Sequence, residues 1–229
     1  MFLKLMSAMP GFAYGYDDNS IYVNLFLGNT ATIDAKGVTL TQTTNYPSDG
    51  TITITVDTKK KRMFDLKIRI PGWSEGCENP YGLYFSNIKG RPSLSVNGES
   101  VALSVDKGYA VIHREWRKGD TVVLTLPMEP RLVVASSKVE SLRGMTAVAA
   151  GPVVYAFEQC DNADVLRMRL LTNKPLVKTP SDTPGYLGTI TCRAKDADGM
   201  PTTALAVPYY AVGNRHPGEA YTVWMKKVK

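Results

Sequence analysis

Apolar and polar residues alternate along most of this chain with a period of two. Ile52, Ile54 and Val56 alternate with threonines, and Leu66, Ile68 and Ile70 with Lys67 and Arg69. Val101, Leu103 and Val105 repeat the pattern, as do Val122, Leu124 and Leu126. Successive side chains of a strand point to opposite faces, so such a run sets one face on a core and the other in water. Turn-forming groups punctuate the runs: Pro47-Ser48-Asp49-Gly50, Asn97-Gly98, Lys118-Gly119-Asp120 and Asp198-Gly199. Beyond the first ten residues no long stretch keeps a helical period. The expected fold class is therefore all-β, two packed antiparallel β-sandwich domains with a short N-terminal helical remnant.

The 229 residues accommodate two such domains. Residues 1–13 are expected to hold the helical piece, because Phe2, Leu5, Met6 and Met9 share one helical face. That face is expected to be exposed, packed back onto a sandwich, or used in a contact between chains. Residues 14–130 are assigned to the first sandwich and 131–229 to the second, where the connections are longer and less regular, as from Thr179 to Gly188. The last run, Tyr221 to Met225, is free to return to either sheet.

Charge excludes some partners. The net charge of +6 is scattered apart from Lys59-Lys60-Lys61-Arg62, which reads as a solvated hairpin end. A nucleic-acid surface concentrates its cations and interleaves them with aromatics, so none is expected, and the charge reads as a solubility property. No membrane partner is expected either: the most apolar stretch, Met145 to Phe157, is too short to span a bilayer and is interrupted by Gly151-Pro152. At the N-terminus Lys4 and Pro10 bracket only a few apolar residues, which does not support an export signal.

Catalytic and metal-binding signals are sparse. His113 sits on a strand-like run and His216 in a loop, with no serine or cysteine motif beside either. Cys77, Cys160 and Cys192 are far apart and form no ligand cluster, so no metal or catalytic residue is assigned. Asp196, Asp198 and Gly199 read as a polar hairpin turn rather than a calcium loop, because the twelfth position is Val207. Trp73, Tyr81 and Tyr84, with Phe85 beside them, are candidates for stacking on a sugar ring, against the plainer reading that Trp73 folds back over the end of the core. Trp116 and Trp224 read as core residues. Tyr209, Tyr210, Asn214, Arg215 and His216 lie on a Gly/Pro-rich connection that suits a domain interface, or simply a surface loop.

Several strings together resemble the C-terminal region of glycoside hydrolase family 127, the β-L-arabinofuranosidase family. They are Ser7 to Ile33, KIRIPGW (Lys67 to Trp73), SVNGE (Ser95 to Glu99), Gly108 to Val133, AVAAGPVVYAFE (Ala147 to Glu158) and Val207 to Trp224. Their order and spacing cover nearly the whole chain. The resemblance implies a β portion that follows a helical toroid, the toroid holding a cysteine nucleophile, a zinc ion and an acid/base glutamate. The segment with the family's Cys-Cys pair lies before the part matched here, and none of the three cysteines matches it. The resemblance thus implies no cofactor in this chain, with the zinc site in the missing segment. It also implies a role as accessory β-sandwich, with Met1 to Met9 as the tail of the toroid's last helix. The implied partners are that helical catalytic domain and an arabinose-containing glycan, and the alternative is a free-standing carbohydrate-binding module.

Overall fold

The structure, a computed structural model, describes residues 2–228. One helix, α1 (Phe2–Ala8), and a 3-10 turn (Met9–Phe12) precede the strands. The first strands are β1 (Tyr14–Tyr16), β2 (Ser20–Val23), β3 (Asn29–Ile33), β4 (Val38–Thr44), β5 (Thr51–Thr58), β6 (Arg62–Arg69) and β7 (Tyr84–Ser86). Next come β8 (Ser93–Val96), β9 (Glu99–Val101), β10 (Val105–Asp106), β11 (Tyr109–Trp116), β12 (Asp120–Thr125), β13 (Pro130–Ala135) and β14 (Met145–Ala150). The last are β15 (Val153–Glu158), β16 (Arg169–Leu171), β17 (Val177–Thr179), β18 (Thr189–Lys195), β19 (Pro201–Pro208), β20 (Tyr221–Thr222) and β21 (Met225–Val228). The protein is all-β. Among the described residues no helix is long and apolar enough to cross a membrane.

The chain divides into two compact units, and the division is not contiguous. Met1–Pro71 with Arg91–Pro127 form the first, and Gly72–Gly90 with Met128–Lys229 the second. A single cut near residue 130 assigns Gly72–Gly90 to the first unit. Their strand β7 instead pairs antiparallel with β13 through Val133↔Ser86 and Ala135↔Tyr84.

In the first unit a five-stranded sheet, ordered β1-β2-β6-β11-β10, accompanies a six-stranded one, ordered β3-β4-β5-β12-β8-β9. The alternating residues form their buried faces: Ile52, Ile54, Val56, Leu66, Ile68, Val122 and Leu124 are fully buried. Burying each such side chain contributes about 1.5–3 kcal/mol. Trp116 is also fully buried, stacked on Phe64 with ring centroids 5.6 Å apart, and its indole N–H donates to the Phe64 carbonyl at 3.0 Å. The Gln42 amide of β4 donates to the Tyr14 hydroxyl of β1 at 2.8 Å, tying one sheet to the other.

Two local expectations need correction. Lys59–Arg62 is exposed but is not a hairpin end, because β5 and β6 belong to different sheets and the run carries the chain between them. The alternation at Val101, Leu103 and Val105 yields no continuous strand. It splits into β9 and β10 at the edges of different sheets, and Val105 stays 38% exposed. The Asn97-Gly98 turn between β8 and β9 behaves as its residues require, both at positive φ (52° and 83°).

The second unit is one sheet that curls over on itself. β14 pairs with β13, β15 and β21, and the path β15-β19-β18-β16-β21 returns to β14. The enclosed core includes Val148, Tyr155, Phe157, Leu170, Ile190, Cys192, Ala206 and Met225. β14 is buried on both faces: Val148 and Ala150 look into that core, while Ala147 and Ala149 meet Val133, Tyr84, Val223 and Trp224 outside it. The small alanines let a second layer lie directly on the strand. The last strand, β21, stays in this unit, parallel to β16.

Candidate functional site

The excursion Gly72–Gly90 holds three of the candidate ring residues and anchors them by polar contacts. A short 3-10 turn (Gly72–Glu75) carries Trp73, and the Asn79 side-chain oxygen accepts the N–H groups of Leu83 and Tyr84 at 2.9 and 3.3 Å. Glu78 then reaches Arg131 of β13. Arg131 donates from Nε and Nη2 to the two carboxylate oxygens at 2.7 and 2.8 Å, and from Nη1 to the Gly151 carbonyl at 2.8 Å. The Trp73 ring covers this guanidinium, its centroid 5.2 Å from Arg131 Cζ. A buried cation with three hydrogen bonds thus joins the β7–β13 pairing in holding the excursion down.

The rings do not converge on a shared platform. Trp73 faces Arg131, and Tyr84 packs against Trp224 at 5.7 Å with 35° between ring planes. Tyr81 stands outward, 81% exposed. Trp224 is only half-buried, outside any strand, rather than a core residue. With Tyr84, Glu78, Ala147 and Ala149 it lines a mostly apolar hollow of about 270 Å³, in which Glu78 is the only charged group.

At the other candidate region, a 3-10 turn (Tyr209–Ala211) follows β19 and leaves Tyr209 and Tyr210 about half exposed (49% and 51%). The Tyr210 hydroxyl accepts the Leu187 N–H at 3.0 Å. Arg215 bridges Asp161, by Nη1 at 3.0 Å to Oδ1 and by Nη2 to Oδ2, and Glu158, by Nη2 at 2.6 Å. Glu158, 4% exposed in its side chain, also accepts the Gly213 N–H at 2.8 Å. Hydrogen bonds to Asp161 and then Glu158 hold the Arg215 pKa well above its ordinary value. Asn214 is exposed, and His216 Nδ1 lies 3.7 Å from Glu219 Oε1 in an exposed pair. The sequence marked this loop by composition but could not show that its arginine pairs with Glu158 and Asp161, which lie more than fifty residues earlier.

Glu158, Cys160 and Asp161 place ligand-type atoms within 4.8 Å of one another. The set does not fit a zinc ion. Both carboxylates already bind the Arg215 guanidinium, and burial, followed by the Asp161 charge, pushes the Cys160 thiol pKa up, away from the thiolate that zinc requires. Among the three cysteines Cys192 is buried, its pKa pushed up to about 12 by desolvation, and Cys77 and Cys160 are half-buried. His113, on the exposed face of β11, lies opposite Asp65 of β6 and meets it at 2.5 Å.

The fold class is two β units in tandem, and the sequence matches give the family. Residues 20–128 match the model described as the beta-L-arabinofuranosidase GH127 middle domain, and residues 130–226 the glycoside hydrolase family 127 C-terminal domain. The chain belongs to glycoside hydrolase family 127. A non-reducing end beta-L-arabinofuranosidase of Bifidobacterium longum subsp. longum is 31% identical over 94% of this chain and 35% of its own length. A solved GH127 beta-arabinofuranosidase superposes with a TM-score of 0.83 at 36% identity, over 98% of this chain and 37% of the other. A GH127 beta-L-arabinofuranosidase from Geobacillus stearothermophilus T6 gives 0.82 at 30% identity, over 99% and 36%. The chain spans just over a third of the length of these relatives.

Proposed function

We propose that this chain is the non-catalytic β portion of a β-L-arabinofuranosidase-like hydrolase and that it braces a helical catalytic body. The observation that carries this reading is the uncovered apolar surface of α1 and the turn after it. Leu3, Leu5, Met6, Met9 and Phe12 are 82%, 56%, 50%, 36% and 56% exposed. A short amphipathic helix with this much apolar surface in water gains by packing against further helices. The half-exposed Tyr209 and Tyr210 offer a second contact of the kind a domain interface uses.

The test has two arms. The purified chain is assayed for hydrolysis of an aryl β-L-arabinofuranoside with and without zinc, and no turnover is expected. It is then mixed with the helical catalytic portion of a relative supplied as a separate polypeptide. A complex is expected with the wild type, and not with Leu5→Asp/Met9→Asp. Zinc-dependent turnover by the chain alone overturns the reading, as does a complex indifferent to the double substitution.

Tyr81, 81% exposed, keeps a second reading open, in which the chain binds arabinose-containing glycan. Titration with arabinan tests it, with Tyr81→Ala expected to abolish binding and unchanged affinity removing the ring from consideration.

A further inference from the structure

Cations that are scattered along the sequence gather on one face of the second unit. Arg169 of β16 lies directly opposite Lys195 of β18 on one side and Lys226 of β21 on the other. Arg193 shares that face two residues back along β18, and Lys174 follows β16. Like charges in direct cross-strand register destabilise a sheet, so three in one row oppose folding. None of these five side chains has an ion-pair or hydrogen-bond partner among the described residues. The nearest acid in sequence, Asp196, has its Oδ1 engaged by the N–H groups of Asp198 and Met200 in the hairpin turn. Beside the row lies a hollow of about 590 Å³ lined by Arg193, Lys174, Thr202, Thr203, Leu171 and Pro201. That volume lies in the range of sites for small ligands, and a lining that mixes cations, threonines and apolar residues suits a sugar that carries a carboxylate. Strands β16, β18 and β21 carry no aromatic residue, the stacking element that single-stranded nucleic acid requires.

We propose that this face binds a carboxylate-bearing polysaccharide, with Arg169, Arg193, Lys195 and Lys226 meeting the carboxylates and the hollow receiving one sugar. The proposal takes from the proposed function only that the ligand is a glycan. Binding neutralises the charge repulsion in the row, so the same residues that weaken the free sheet strengthen the complex.

The probe is polygalacturonate, with neutral linear arabinan and duplex DNA as comparisons, followed by calorimetry at several salt concentrations. Wild-type protein is expected to bind polygalacturonate, with log K falling linearly against log salt. Arg169→Gln/Arg193→Gln/Lys195→Gln is expected to lose at least about tenfold in affinity, to flatten the salt slope, and to melt at the same temperature or higher. Lys59→Gln/Lys60→Gln, which removes charge elsewhere, is expected to bind as the wild type does. No binding to polygalacturonate, an equal loss in the Lys59/Lys60 variant, equal affinity for arabinan, or tighter binding to DNA at the same salt each overturns the proposal. A complex with the helical portion that forms while polygalacturonate fails to bind removes this inference and leaves the proposed function standing.

Discussion

The carboxylate of Glu78 grips one edge of the Arg131 guanidinium, Nε at 2.7 Å and Nη2 at 2.8 Å, with the arginine side chain only 3% exposed and the glutamate 13%. Removing one member leaves the other buried and uncompensated, which costs about 3–5 kcal/mol. Glu78→Ala is therefore expected to lower unfolding free energy by that amount in urea titration. Glu78→Ala combined with Arg131→Met is expected to cost less than the sum of the two single changes, because the stranded charge is gone. Strict additivity contradicts the pairing.

Gly188 sits at φ +81°, and a Cβ there meets the Thr179 carbonyl oxygen at 2.0 Å. That oxygen belongs to backbone at the end of β17, which pairs with β18, and cannot move aside freely. Gly188→Ala is expected to destabilise by at least about 1–3 kcal/mol. Gly185→Ala, also at positive φ (76°) but with nothing within 4 Å of its Cβ, serves as the comparison and is expected to cost less. Equal melting temperatures for the two variants remove the close-approach argument.

The Asp17 carboxyl is held at a pKa of about 2, below its ordinary 3.8, first by the Tyr22 hydroxyl and then by the Asn19 N–H. The folded state favours the ionised form, so this contribution is present in full above about pH 4 and is lost as pH falls through 2. Asp17→Asn is expected to flatten the dependence of stability on pH within that window and to leave it unchanged above. An NMR titration placing the Asp17 carboxyl at the ordinary value contradicts this.

Arg215 holds the loop through two carboxylates, one of them nearly inaccessible to water. Arg215→Ala leaves Glu158 with the Gly213 N–H as its remaining donor, at an expected cost of about 1–3 kcal/mol. Hydrogen exchange at the Gly213 amide is expected to quicken. Arg215→Lys is expected to restore only part of the loss, because an ammonium is a point charge where the guanidinium spans two acceptors. Exchange unaltered in Arg215→Ala means that the loop is held by something else.

Much of this was legible in advance. Ile52, Ile54 and Val56 carry their own strand and face in their spacing, and Asn97-Gly98 carries its turn, because strand period and turn chemistry are local. What was not legible depends on partners distant in sequence. Whether Val101 to Val105 makes one strand or two is decided by which sheet edges have room. Trp73 reads from the sequence as a sugar platform or as a cover for the core, and Arg131, under its ring, comes 58 positions later. The Arg169 row is invisible as a run of charge, since register alone brings Lys195 and Lys226 beside it.

The non-contiguous division has a consequence for synthesis. Gly72–Gly90 leaves the ribosome well before its strand partner β13 exists. At about 5–20 residues per second, the edge of β7 and the unmatched carboxylate of Glu78 wait several seconds while β8 to β12 are made. During that interval the nascent excursion has no place to pair, and a chaperone or a pause in translation has its clearest opportunity to act there.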